Sequence, residues 1–318
     1  MTNALHKYKF SAIVPNYNSS TFLPKALHSL LHQTESFHEI IIVDDGSTDD
    51  SLKIIDSFMA HNPVIQLVRH QNNQGVSKAL NTGILHATGD YIILCAADDS
   101  YDENIVKTTR QILKKNPDIG LICGNANIDR FDMIAPFLRT LPFPKNRVTT
   151  PEDFKSIIRK QYVGFNGGGG MFMQREAVVK AGMLYPETRW HSDWLLYFVI
   201  ALRQGFFYSD SLFTHIHMRK ESYSENKKNW PIQKEVMINT IELIKQQYPE
   251  LWIDFKEAAL LPFYSLRCMT LCLYQSTFRQ FFSFALLWKS FINNKLVVKI
   301  GRLFPYKIIL QCRKFLRS

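Results

Sequence analysis

Two adjacent carboxylates follow an apolar run in the first third of the chain. The stretch Tyr91 to Tyr101 begins apolar and turns polar at Asp98 and Asp99, with Gly89 and Asp90 before it. An apolar run of this length is typical of a buried parallel strand whose carboxyl end opens on a crevice. Carboxylates there suit Mg²⁺ or Mn²⁺ on a diphosphate, because these ions prefer carboxylate and phosphate oxygens. A polar turn that ends a strand would explain the same residues, so the rest of the chain has to decide.

Polar residues also follow two earlier apolar runs. One predicted strand starts at Phe10 and ends at Pro15, and another covers Glu39 to Val43. A third covers Val64 to Val68. Helices are predicted between the strands, at 23–32, 51–61 and 76–87. Ser20 or Thr21 would lie near the N-cap of the first helix, and residues 47–49 would cap the second. Alternating strands and helices predict a right-handed, mostly parallel, doubly wound sheet. The polar segments 16–18, 44–49 and 98–99 would then meet at one edge.

The second part of the chain is predicted as a mixture of helices, short strands and one long loop. We expect helices at 102–116, 151–160, 175–181 and 190–205, strands at 119–123, 171–174 and 209–218, and a Pro-rich loop over the site at 131–150. Gly167 to Gly170 indicate close backbone approach or a flexible linker. Asp193 begins the last of these helices, where an Asp is often only an N-cap.

The composition favours a globular protein. The chain has 318 residues, 46% hydrophobic and 21% charged. Its five cysteines form neither a CxxC metal pattern nor a disulfide framework, which fits reduced cytoplasmic thiols. The polar start, residues 1–9, does not resemble a signal peptide, and the apolar runs 258–266 and 281–288 are shorter than the roughly 20 residues of a spanning helix. We therefore expect no transmembrane segment.

Positive charge is concentrated at the C-terminus. After Glu257 there is no Asp or Glu but there are ten Lys and Arg, and the net charge of the whole chain is +10. A nucleic-acid surface would also need basic residues around the candidate site, so we expect no nucleic-acid partner. Basic and aromatic residues together suit an anionic membrane surface. Packing on the catalytic domain, or on a second subunit in a homodimer, would explain the same pattern.

In combination these motifs resemble the family-2 inverting glycosyltransferases with the GT-A fold. The resemblance covers about residues 8 to 224 and depends on the order and spacing of Val14 to Asn18, Ile42 to Asp49, Asn73 to Asn81, Gly89 to Asp99, the glycines before Met171 and the pair Ser192-Asp193. It implies an α/β fold of the GT-A (Rossmann-like) type, with a mostly parallel twisted sheet and flanking helices. The catalytic domain would be residues 1–224, with a nucleotide-binding half at about 1–125 and an acceptor half at about 126–224. A basic, aromatic, helical C-terminal region, 225–318, would follow.

The resemblance also implies a role for individual residues. Donor-binding residues would be Pro15 and Tyr17 against the nucleotide base, Asp44 or Asp45 accepting from the base, Asn73, Lys78 near the diphosphate, Asp98, and His217 and Arg219. Asp98, with Asp99, would bind Mg²⁺ or Mn²⁺. Asp193 would be the general base that takes a proton from the acceptor hydroxyl. The implied partners are a nucleotide sugar, which in this family is usually a UDP-sugar, and a glycan or lipid-linked acceptor. The implied process is bacterial surface polysaccharide synthesis on the cytoplasmic face of the inner membrane.

The sequence departs from the family pattern at three places. Ala96 stands where the family often has an Asp, Ser192 stands where a Glu is expected before the base, and His217-Met-Arg219 replaces an Arg-x-His order. These departures keep open a catalytically inactive nucleotide-binding or scaffold protein, although Asp98 and Asp193 together argue for turnover. A Rossmann-type oxidoreductase is excluded, because Val14 to Asn18 contains no glycine that would let the backbone approach a pyrophosphate.

Overall fold

The computed structural model describes residues 8–161, 163–167, 169–220 and 229–261. This part of the chain divides into two units. The first takes the described residues up to Phe154 and from Val163 to Gln233, and the second takes 155–161 and 234–261. The sheet and every predicted site residue lie in the first unit.

The first four strands are parallel and are joined by helices. In chain order the elements are β1 (Phe10–Asn16), α1 (Leu23–Leu31), β2 (Glu39–Asp44), α2 (Ser51–Met59), β3 (Ile65–Arg69), α3 (Val76–His86) and β4 (Tyr91–Leu94). The strand order is β3-β2-β1-β4, with every neighbouring pair parallel. All six residues of β2 are buried, as a strand covered by helices on both faces requires. This confirms the predicted series of strands and crossover helices.

The remaining strands make the sheet mixed. The elements that follow are β5 (Ser100–Tyr101), α4 (Ile105–Lys115), β6 (Leu121–Arg130), β7 (Phe137–Arg139), β8 (Arg147–Thr149), α5 (Pro151–Lys160), β9 (Met171–Gln174), α6 (Arg175–Lys180), α7 (Ser192–Gln204) and β10 (Phe206–Met218). Strand β9 is antiparallel to both β4 and β6, and β6 is parallel to β10. The carboxyl ends of β1, β2, β4, β6 and β10 therefore lie at one edge of the sheet.

Several predicted boundaries were wrong. Strand β4 ends at Leu94, so Asp98 and Asp99 lie on the turn between β4 and β5. The segment predicted as a loop at 131–150 contains β7 and β8, which pair antiparallel with β6 and β10. The N-caps of α1 and α2 are Phe22 and Asp50. Long-range pairing decided these boundaries, because strands this short have too few residues to show an alternating pattern.

Close packing joins the helices to the sheet. A Cβ added at Gly83 in α3 would lie 2.3 Å from Ile13 Cγ2, so a glycine is needed where this helix crosses β1. The Phe143 ring packs against Phe206, with ring centroids 4.7 Å apart, and against Phe165 at 5.5 Å. These contacts hold the loop before β8 against β10.

The second unit is helical in its described part. It contains most of α8 (Trp230–Gln247) and all of α9 (Trp252–Glu257), with a 3-10 turn at Pro249–Leu251 between them. Arg159 pairs with Asp254 and Glu257 in this unit. The predicted basic tail lies almost entirely beyond residue 261 and so outside the described residues. Within those residues, no helix is long and apolar enough to cross a membrane.

Candidate active site

The ends of β1 and β2 are tied together by side-chain hydrogen bonds. Asn16 Nδ2 donates to Asp44 Oδ1 at 2.8 Å, and the Ser47 amide donates to Asp44 Oδ2 at 3.1 Å. Pro15 and Tyr17 flank Asn16, and the Tyr17 side chain is exposed. The structure therefore brings Pro15, Tyr17 and Asp44 to the same edge, as a shared pocket for a nucleotide base would require.

Asp45 anchors the loop that leads into α3. Its buried carboxylate accepts hydrogen bonds from the amides of Gln74 and Gly75, at 2.9 and 2.7 Å. His70 Nδ1 lies 2.7 Å from Asp45 Oδ1, and His70 Nε2 lies 3.0 Å from Thr82 Oγ1. Both carboxylate oxygens thus hold the loop that carries Asn73. Sequence reasoning missed His70, because nothing local in the sequence pairs it with an acid 25 residues away.

Asn73 and Lys78 lie on either side of the start of α3. Asn73 Oδ1 accepts a hydrogen bond from the Gly75 amide at 2.9 Å, which shapes the turn before the helix. Lys78 lies in the first turn of α3 and its side chain is exposed. Gly75, the N-cap, has φ of 92°, in the region that favours glycine. Asn73 and Lys78 are thus placed at a helix N-terminus, which is a favourable site for phosphate oxygens.

The adjacent acids meet the end of β10. Asp98 forms an ion pair with Arg219, and Asp99 Oδ1 accepts a hydrogen bond from the His217 amide at 2.9 Å. Burial raises the pKa of Asp99 to about 8, and the neighbouring Asp98 charge adds to this shift. The structure therefore brings together the four residues Asp98, Asp99, His217 and Arg219, which are up to 121 positions apart in the sequence.

Two residues at the start of α1, Phe22 and Lys25, also contact this cluster. Lys25 Nζ lies 3.0 Å from His217 Nε2, and the Arg219 guanidinium lies over the Phe22 ring, 3.5 Å from its centroid. Sequence reasoning did not single out Lys25 or Phe22. Their position just after the polar end of β1 is the signal that could have found them, since the start of α1 must lie at the same edge as Asp98.

Asp193 lies in the first turn of α7 in an environment that disfavours its charged form. Burial raises the pKa of its carboxyl to about 6, although the Trp194 amide donates to Asp193 Oδ1 at 2.7 Å and opposes the shift. The N-cap of α7 is His191, so Asp193 is not the N-cap residue. A carboxyl with a pKa near 6 is ionised at neutral pH and is still basic enough to accept a proton.

The glycine-rich segment connects Asp193 with the end of β4. A Cβ added at Gly167 would lie 3.2 Å from Asp193 Oδ2, and one added at Gly169 would lie 2.8 Å from the Leu94 carbonyl oxygen. Gly169 also has φ of 94°, which side chains rarely allow. Of the two interpretations of these glycines, the structure therefore favours close backbone approach over a plain linker.

Ser192 has a structural role where the family pattern has an acid. Its buried hydroxyl lies 2.8 Å from Thr188 Oγ1 and 3.1 Å from Ser77 Oγ. These contacts fix the start of α7 against the start of α3. Asp193, the next residue, is therefore carried on a fixed first turn of α7.

Comparison with known proteins decides the family. Residues 11–182, more than half of the chain, match the family described as glycosyl transferase family 2. The chain belongs to glycosyltransferase family 2. The predicted family, the GT-A type of fold and the assignment as a glycosyltransferase are confirmed by this match and by the relatives described next.

Relatives of this family-2 chain act on different substrates. It is 31% identical over 166 residues to the cholesterol galactosyltransferase of Borreliella burgdorferi, a match that covers 52% of this chain and 46% of that one. The chain spans about half the length, or less, of the curated relatives it matches. S. aureus TarS with UDP-GlcNAc shares the fold at a TM-score of 0.60 and 18% identity, over 79% of this chain and 70% of that one. A mannosyltransferase of Pyrobaculum calidifontis with GDP-Man and Mn²⁺ also shares the fold, at a TM-score of 0.56 and 17% identity. That match covers 98% of this chain and 85% of the other.

The acids of this glycosyltransferase fit a cation that arrives with its substrate better than one held by protein alone. Within the described residues, no group of three or more His, Cys, Asp or Glu side chains is arranged to hold a metal ion. Asp98 is partly exposed and can offer an oxygen, whereas Asp99 is buried and bonded to the His217 amide. Mg²⁺ is commonly bound through one or two carboxylates together with substrate phosphates. The two carboxylates therefore fit Mg²⁺ or Mn²⁺ only together with substrate phosphates, and Asp98 is the one with an accessible oxygen.

Proposed function

We propose that this glycosyltransferase transfers a sugar, with inversion, from a nucleotide-diphosphate sugar of the UDP type to a hydroxyl of a glycan or lipid-linked acceptor in surface polysaccharide synthesis. The observation that carries the proposal is the Asp193 carboxyl. It has a pKa raised to about 6 and lies beside glycines that also approach the end of β4. A carboxylate with this raised pKa is ionised at neutral pH and is suited to take a proton from an alcohol.

Sugar transfer needs one base for the acceptor hydroxyl and positively charged side chains that bind the leaving diphosphate. The acceptor oxygen forms a bond to the anomeric carbon, the bond from that carbon to the diphosphate oxygen breaks, and the hydroxyl proton passes to Asp193. Lys25 and Arg219 lie where they can bind the diphosphate and stabilise its growing negative charge. The Asn16–Asp44 pair and Tyr17 would orient the nucleotide base.

Asp98 is the residue that would hold a divalent cation, with Asp99 behind it. When bound, such a cation supplies further neutralisation of the diphosphate. Arg219 already pairs with Asp98, so the guanidinium and a cation would compete for the same carboxylate. We infer a moderate metal affinity that depends on the nucleotide.

Replacing the base tests the proposal. Asp193→Asn should lower transfer from a nucleotide sugar by at least about 100-fold and leave nucleotide affinity unchanged, because only the proton acceptor is removed. Asp50→Asn, another acid at the start of a helix, is the matched control, since Asp50 is exposed and pairs only with Lys53 in the described structure. Sugar transfer and nucleotide binding would be measured by product assay and calorimetry. Near-normal turnover in Asp193→Asn would exclude Asp193 as the base.

We also propose that the protein acts as a peripheral protein on the cytoplasmic face of a bacterial inner membrane, through its basic C-terminal region. The ten basic residues after Glu257, without any acid, support this location. The full-length chain should float with anionic vesicles at low salt and much less at high salt. A chain that ignores anionic vesicles at low salt would rule the proposal out.

A further inference from the structure

The tip of the β6–β7 hairpin exposes an unusual number of large apolar side chains. Of the eleven large hydrophobic residues that are exposed among the described residues, five lie between positions 131 and 138: Phe131, Met133, Ile134, Phe137 and Leu138. Ile134 is fully exposed, at 107%, and Leu138 is 57% exposed. A soluble surface seldom gathers apolar side chains so densely without a partner.

The apolar residues lie on both faces of the hairpin. Phe137 and Leu138 are neighbours in β7, and successive side chains of a strand point to opposite faces. Both are nevertheless exposed, so neither face of this strand is covered. A groove on a second protein would cover one face of such a hairpin, whereas the boundary between lipid headgroups and acyl chains surrounds both.

The charged residues beside the apolar tip balance one another. Arg130 pairs with Asp132 at 2.8 Å, and the Asp129 carboxylate lies 3.5 Å from His217 Nδ1. Lys145 and Arg147 lie away from the tip, because Arg147 pairs with Tyr208 near the start of β10. The tip is therefore apolar without a strong net charge, so that apolar burial would drive its insertion into a bilayer.

The hairpin adjoins the active site. Strand β6 runs parallel to β10, with Asp129 opposite His217 and Arg130 opposite Met218. The Phe131 amide donates to the Met218 carbonyl oxygen at 3.1 Å, and the next residue, Arg219, pairs with Asp98. The hairpin tip therefore extends from the same edge of the sheet as the candidate diphosphate site.

We propose that residues 131–138 insert into the headgroup region of a membrane and hold the active-site edge against it. This contact is separate from the basic C-terminal region and contributes apolar insertion, whereas the C-terminal region contributes charge. It goes beyond the proposed transfer reaction, because it would operate whether or not a donor is bound. A surface held in this way would present the site to acceptors attached to lipid.

Vesicle flotation with the full chain tests the insertion. Met133→Ser/Ile134→Ser removes two exposed side chains from the turn without touching a strand, and Leu85→Ser/Val179→Ser removes two exposed apolar side chains elsewhere. Vesicles would be phosphatidylcholine with about one third phosphatidylglycerol, in about 0.5 M salt so that basic contacts are screened. We expect the hairpin variant to bind at least about tenfold more weakly than wild type and the control to bind within about twofold.

A second readout reports on insertion directly. A tryptophan introduced as Ile134→Trp should be quenched by brominated lipids, whereas one introduced as Leu85→Trp should not, relative to the parent chain. Equal binding of the hairpin variant and wild type, or full release of wild type in high salt, would overturn the insertion. A change of oligomeric mass with unchanged vesicle binding would identify a second copy as the partner instead.

Nucleotide calorimetry separates this inference from the proposed function. The hairpin variant should bind nucleotide in solution as wild type does, because Met133 and Ile134 lie outside the donor residues. If wild type itself bound no nucleotide, the proposed transfer would fail while the flotation result would keep its meaning.

Discussion

At the scale of single residues, the environment of each acid separates functional from structural carboxylates. Glu39 lies at the amino end of β2, where burial opposes ionisation but hydrogen bonds from Ser11 and Thr88 outweigh it and lower its pKa. Asp193 is also desolvated, but it receives few hydrogen bonds and its pKa rises to about 6. A carboxylate kept at a cost to folding is expected where the charge is used in a reaction.

The raised pKa of Asp193 predicts how activity depends on pH. Because the base must be ionised, kcat/KM should be level above pH 6 and fall about tenfold for each pH unit below it. The measurement is a rate profile at low substrate concentration between pH 4.5 and 8. A profile that stays level down to pH 5 would contradict the assignment of Asp193 as the base.

The same shift predicts the stability of Asp193→Asn. Because the pKa of Asp193 is higher in the folded state than in the unfolded state, protonation of this carboxyl stabilises the fold at low pH, below about pH 4. This stabilisation is lost as the pH rises through 6, so wild type carries a stability penalty at neutral pH. Asn avoids the penalty and still accepts from the Trp194 amide. We expect the variant to be more stable than wild type at pH 8, by about 2 kcal/mol, and equally stable near pH 4. Thermal or urea unfolding at both pH values measures this, and a variant less stable at pH 8 would contradict it.

At the scale of elements, loops at the strand ends are held by buried acids. Asp45 holds the 70–75 loop through two amides and His70, and Asp44 holds the turn after β2 through the Ser47 amide. The loop in turn positions Asn73 and the first turn of α3. The loops at this edge therefore gain their geometry from the buried carboxylates of Asp44 and Asp45.

Removing the Asp45 carboxylate should destabilise the fold. Asp45→Ala removes the acceptor of the Gln74 amide, one of the two acceptors of the Gly75 amide and the carboxylate beside His70, which should lower the free energy of unfolding by about 3 kcal/mol. Asp50→Ala, which removes only an exposed pair with Lys53, should change it by less than about 0.5 kcal/mol. Urea unfolding of both variants measures the difference. Similar values for the two would show that Asp45 does not anchor the loop.

At the scale of the whole molecule, the sheet brings together residues from distant parts of the chain. Asp98 lies in the turn after β4 and Arg219 follows β10, and His70 follows β3 whereas Asp193 lies in α7. A ligand that binds this edge binds only the folded chain, because unfolding separates its contacts. Binding and folding are therefore linked.

Nucleotide binding should stabilise the whole first unit. With UDP and Mn²⁺ at about 100 times the dissociation constant, the free energy of unfolding should rise by about 2.7 kcal/mol, and calorimetry with UDP, GDP and dTDP should identify the base. Chelation of the metal, or Asp98→Ala, should remove the metal-dependent part of the affinity. If none of the three nucleotides bound, the inactive nucleotide-binding or scaffold alternative would gain support. If affinity did not depend on metal in either form, Asp98 would not be the metal ligand.

The sequence by itself determined the first four strands, their helices and the edge where polar residues gather. Those elements follow from local patterns: apolar runs of strand length that end in Asn16, Asp44 and Asp98, and helical periodicity between them. Parallel strands joined by helices leave one topology, so the shared edge could be predicted without any long-range contact. The family resemblance then pointed to Asp193 for the same reason, since its motifs are local.

Only the tertiary structure decided how the site residues are paired. The Asp98–Arg219 ion pair joins residues 121 positions apart, and the contact of Lys25 with His217 spans 192. Such pairs depend on the order in which β9, β6 and β10 add to the sheet, and no local pattern encodes that order. The same holds for β7, whose three residues form a strand only because β6 extends beside them. Burial, which sets the pKa of Asp193 and of Asp99, is likewise a property of the packed molecule.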